Sequence, residues 1–149
     1  EAELDLLLLL EGDEGRPSSR VGWDAPEPPS GIGATVYHEL SQAIGEWIDN
    51  DLSERLEGRD RFQARVARNA VGMIQRRLSL GAVFEERSTR RLSELGMSEA
   101  GFLSATHSGQ VSLEMPAVLR HLRLSAMERL YMDQPDYPGL GHAIRKWTA

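Results

Sequence analysis

Arginine is the residue type whose spacing could do chemistry in this chain. Sixteen of the 17 basic residues are arginine, and Arg61, Arg65, Arg68 and Arg76 follow one another at steps of four, three and eight. On a helix those steps stack the side chains along one edge about 80° wide. A guanidinium presents a planar fork of donors, so such an edge suits bidentate contacts to carboxylates or phosphates. Asn69 falls between this edge and the apolar side of the same stretch, at the expected margin of the core. A half-buried amide left unpaired there would cost ~1–3 kcal/mol, so it must bond a neighbouring carbonyl or, together with Arg65, a loop end or a partner's chain. Charge is unevenly placed: residues 1–58 hold 14 acids and three arginines, residues 59–91 hold nine arginines and three acids, and the whole chain stands at −6. Two readings fit. The arginines pair internally with Glu46, Asp49, Asp51, Glu54 and Glu57, at ~0–1 kcal/mol for each exposed pair. Alternatively they form a docking surface for an acidic partner or a phosphate-bearing ligand, with Trp23 and Trp47 as aromatic anchors.

No other constellation carries chemistry. His38, His107, His121 and His142 each lack an Asp or Glu three or four residues away, so no metal pair or oriented base can be built locally. The glycines form no phosphate-binding loop. The absence of cysteine excludes disulfides and thiolate metal sites. Hence no catalytic residue, metal or cofactor is expected. "ELGMSEAGFLSATHSG" has the outline of a helix-turn-helix without a basic second helix, and the chain is acidic, so nucleic-acid binding is a minor alternative. The apolar run Leu6–Leu10 is five residues long, against the ~20 that span a bilayer. It also lacks the basic start of a signal peptide, and a cytoplasmic protein without membrane contact is expected.

The elements that must position the arginines all read as helices. A first helix or arm covers residues 1–11, and a linker rich in Gly, Pro, Ser and acids covers 12–33. A helical domain follows at 34–138, with a C-terminal tail at 139–149. Within the domain, Val36, Leu40, Ile44, Trp47, Ile48, Leu52 and Leu56 recur at helical steps up to a stop at Gly58. The arginine stretch spans about 60–80, from an Asp60 cap to Gly81. Phe62, Val66, Ala67, Ala70, Val71, Met73, Ile74 and Leu78 fill nearly half of its circumference, which predicts the central helix of the bundle. Shorter helices are expected at 82–95, closed by Gly96, and at 99–108, capped by Ser98 and ended by Gly109. The last long helix starts at Pro116 and is stopped near 133 by Pro135 and Pro138. A final turn, "HAIRKW", can dock Trp147. The fold class predicted is an all-α bundle of five or six helices.

Two stretches, "LEGRDRFQARVARNAVGMIQRRLSLG" and "LRHLRLSAMERLYMDQPDY", carry a resemblance that covers residues 40–138. The chain there resembles a family of small bacterial helical domains of unknown function. Its members are encoded beside or fused to aminoglycoside-phosphotransferase-like kinases and acyl-CoA dehydrogenases. The resemblance implies an all-helical, non-catalytic accessory domain that supports such a kinase acting on hydroxyacyl-CoA substrates. It brings no catalytic residues; Arg65, Asn69 and Arg120 fall within the matching stretches and are the candidates for a shared surface. "EAELDLLLLLEGDEG" looks like the closing helix of such a kinase, which together with the first residue being Glu1 suggests a piece of a fusion. The alternative from a different class is a direct binder of a CoA ester or acidic ligand through the arginines, and self-association through the wide apolar helix is a further expectation.

Overall fold

The computed structural model describes residues 2–10, 22–24 and 35–148. Apart from residues 22–24, the expected linker at 12–33 lies outside the described residues. Among the described residues every regular element is helical, as the all-α prediction requires: α1 (Ala2–Leu10), α2 (Thr35–Trp47), a π-helical turn (Ile48–Leu52), a short α3 (Ser53–Arg55), α4 (Gly58–Glu94), α5 (Glu99–His107), α6 (Pro116–Asp133) and α7 (Pro138–Thr148). These divide into two compact units, one made of residues 1–25 and 83–149, the other of residues 26–82.

The first unit is built round α6. Pro116 stands in its first turn and the Gln134 cap precedes Pro135, so both ends fall where proline geometry puts them. Val118, Leu124, Ala126, Met127, Leu130 and Met132 are all buried. Leu4 and Leu7 of α1 and Leu140, Ala143 and Trp147 of α7 close on this helix in one apolar cluster. The first helix expected at 1–11 is α1; it belongs to this core and does not stand apart as an arm. The expected tail is α7, whose Trp147 docks fully buried. Tyr137 Oη donates to Asp5 Oδ2 at 2.8 Å and ties α1 to the turn before α7. A second cluster gathers Leu92, Phe102 and Val118. Its loop reverses at Gly96 (φ +70°), and Ser98 Oγ accepts from Gly101 N at 3.1 Å to cap α5.

The second unit is a helical hairpin of α2 and the first part of α4. His38 Nδ1 lies 3.4 Å from Ser79 Oγ, and Arg68 Nε donates to Asp49 Oδ2 at 2.7 Å. As one number rises the other falls, so the helices run antiparallel. Small residues line their contact: Ser41, Gly45, Ala64 and Gly72 are buried. The chain turns between the helices through extended Leu56 and Gly58, whose φ of +53° is a region that favours glycine.

The helix expected at 34–57 is present from Thr35 to Arg55 and is widened at one place. There Ser53 N–H reaches back to Ile48 O and makes a π turn over "IDNDL", where three short polar side chains compete with the backbone. Two other expectations about this region are corrected. Gly81 does not end a helix: α4 runs through it for 37 residues. An internal glycine costs only ~1 kcal/mol, and buried Leu80 and Phe84 on either side outweigh that. Finally, the 60–80 stretch is not the central helix. Phe62 remains 59% exposed, Val66 51% and Ile74 54%. A periodic apolar face shows which side wants cover; in this chain the cover goes to α6.

Candidate interaction surface

The hairpin of the second unit sets the arginines in order. Stepping 100° per residue, Ala64, Arg68, Gly72, Gln75 and Ser79 point towards α2, Arg65 and Arg76 lie along one flank of that line, and Arg61 stands in line with it in the first turn of α4. Arg68 is a structural member: its guanidinium is held by Asp49 and lies against Gly45, where an added Cβ would come within 3.2 Å of Arg68 Cζ. Arg76 lies over Gly72 and is half-buried. Arg61 and Arg65 are exposed and make no ion pair with any described residue. Of the five acids available for internal pairing, Asp49 takes Arg68 and Asp51 lies 3.9 Å from Arg55. The two readings of the arginine edge therefore divide between residues: Arg68 pairs internally, whereas Arg61 and Arg65 present their forks outward.

The other candidates scatter. Asn69 is exposed, not at the core margin, because the apolar side it borders is itself exposed. Trp47, in the hairpin, is 53% exposed. Trp23 and Arg120 belong to the first unit. Trp23 packs on Phe84 and Tyr131, with ring centroids 6.4 and 5.8 Å away. Arg120 is exposed, with Glu94 3.5 Å from its Nη1.

A polar cluster that sequence reasoning missed lies inside the first unit. Arg91 holds Glu128 through two parallel bonds, Nη1 to Oε1 at 2.9 Å and Nη2 to Oε2 at 2.6 Å, and Nη2 also reaches Ser125 Oγ at 3.2 Å. Both side chains are buried. His121 stands edge-on to Phe102, centroids 5.0 Å apart. Burial, then the charges of Arg91 and Arg129, pushes its pKa down from 6.5 to about 4. Arg123 lies 5.2 Å above the Trp147 ring, and burial lowers its pKa also. A signal existed for this cluster: apolar residues fall on every side of α6 with no continuous polar face, so charges among them are candidates for burial and must then be paired. Arg91 Nε, His121 Nδ1 and Arg123 Nε are buried in this cluster without a hydrogen-bond partner among the described residues. Among the described residues no group of three His, Cys, Asp or Glu is placed to hold a metal, and no helix is long and apolar enough to cross a membrane.

No curated protein and no solved structure matches the chain. One family model does, a domain of unknown function (DUF6285), over residues 54–137. That match takes in α4, α5 and α6, with the arginine edge and the buried Arg91–Glu128 pair. It covers more than half of the sequence, and the chain belongs to the DUF6285 family.

Proposed function

We propose that this chain is a cytoplasmic, non-catalytic interaction domain that supports an aminoglycoside-phosphotransferase-like kinase in hydroxyacyl-CoA catabolism. The observation that carries an interaction role is the pair Arg61 and Arg65, one turn apart, exposed and unneutralised by any described acid. Two outward guanidiniums on a helix whose third, Arg68, is locked by Asp49 make a preorganised positive edge. Such an edge fits a carboxylate-bearing surface on a partner. The kinase itself comes from the family resemblance.

The test is capture of the chain's partners from an extract of its host, beside the Arg61→Glu/Arg65→Glu variant. Arg68 is left intact, since reversing it would disturb the hairpin. A phosphotransferase-like kinase retained by the native chain and lost by the folded variant is the expected result. No kinase with either chain overturns the reading. A native chain that instead gains thermal stability from a CoA ester, as mass action requires of a ligand that binds the folded state, would move the same arginines to ligand binding.

A further inference from the structure

The hairpin carries a second surface. On α2, Val36, Leu40, Ile44 and Trp47 fall within about 80° of one another. On α4, Ile74 and Leu78 fall about 40° apart. All six are large, apolar and 44–61% exposed. The contact line on α2 runs through Ser41, Gly45 and Ile48, and the apolar stripe lies to one side of it. The contact line on α4 runs through Ala64, Arg68 and Gln75, and Ile74 and Leu78 lie to one side of that. Because the helices are antiparallel, the two stripes point the same way and form one continuous face, with Arg65 and Arg76 on the opposite side.

We infer that this face is a homodimer interface, in which the α2–α4 hairpins of two copies close into a four-helix bundle. Three observations select a second copy. First, six large apolar residues, each 44–61% exposed, form one contiguous patch of the several-hundred-Å² size that marks an interaction site on a folded protein. Second, two antiparallel helices sharing one apolar face are half of a bundle, and an identical half completes it with every neighbouring pair antiparallel. Third, the outer edges of the face differ in sign, Glu39 and Glu46 beyond α2 and Arg59 and Arg77 beyond α4, all exposed. A two-fold axis parallel to the helices lays the acidic edge of each copy beside the basic edge of the other. The pairing of His38 with Ser79 and Asp49 with Arg68 puts Glu39 and Arg77 at nearly the same height. Within one copy these two lie on opposite sides of the hairpin, so they meet only across the interface.

The proposal is independent of the kinase reading, since the arginine edge stays open on the far side of each hairpin. Sedimentation equilibrium of the full chain over the micromolar range tests it. The native chain is expected to sediment as a dimer. The Leu40→Glu/Ile74→Glu variant should sediment as a monomer of unchanged helical circular dichroism, both positions being exposed. Glu39→Arg and Arg77→Glu should each raise the dimer dissociation constant severalfold, and the two together should restore it. A monomeric native chain overturns the dimer, a dimer indifferent to Leu40→Glu/Ile74→Glu overturns this face, and failure of the double charge reversal to restore affinity overturns the two-fold arrangement.

Discussion

At the scale of single residues, the buried groups on α6 set the pH and mutational response. His121 titrates near 6.5 when unfolded and near 4 when folded. Below pH 6.5 the unfolded chain therefore binds a proton that the folded chain refuses, so stability falls as pH drops from 6.5 towards 4. Between pH 7 and 5 that amounts to about 2 kcal/mol. Urea unfolding at the two pH values measures it, and His121→Leu should remove most of the difference. The Arg91–Glu128 pair obeys another rule. Cutting Glu128 to Ala leaves a guanidinium buried without its counter-charge and should cost ~3–5 kcal/mol, whereas replacing both residues with apolar ones of similar volume should cost far less. Comparing the single and double variants by denaturant unfolding separates the two effects.

At the scale of elements, two glycines that look alike in sequence have opposite roles. Gly96 sits at φ +70° where the chain leaves α4, so Gly96→Ala should destabilise by ~1–2 kcal/mol. Gly81 is inside α4, and a Cβ there would meet only Arg77 Cγ at 3.7 Å. Gly81→Ala should then stabilise by about 0.5–1 kcal/mol, read as a rise in melting temperature. The sequence marked both as stops, because glycine ends helices often enough to be a signal. What distinguishes them is whether the following residues find burial by continuing, as Phe84 and Leu92 do after Gly81.

At the scale of the molecule, α1 belongs to the fold of the first unit. Leu4 is 1% exposed and Leu7 5%, both against α6 and α7. A chain that begins after residue 10 should lose about 3–6 kcal/mol, the burial of two leucines, and its lower urea midpoint would show it. A midpoint unchanged by the deletion would mean that α1 contributes nothing to stability. The second unit is organised differently: its hairpin contact uses small residues and leaves the large apolar ones outside.

The sequence by itself determined the all-helical class, the Ser98 cap, the proline-bounded α6 and the grouping of arginines on one helical edge. These depend on local terms, namely periodicity, caps, proline and glycine geometry, that act within a few residues. Only the tertiary structure decided which apolar face is covered. Phe62, Val66 and Ile74 read as core by period and stand exposed, while His121, Arg123 and Glu128 read as surface by type and are buried. Periodicity shows how side chains are arranged about one helix and is silent on what packs there. Burial depends on contacts between residues far apart in sequence, such as Arg91 with Glu128 and Leu4 with Met127, and on those the final placement of core and surface rests.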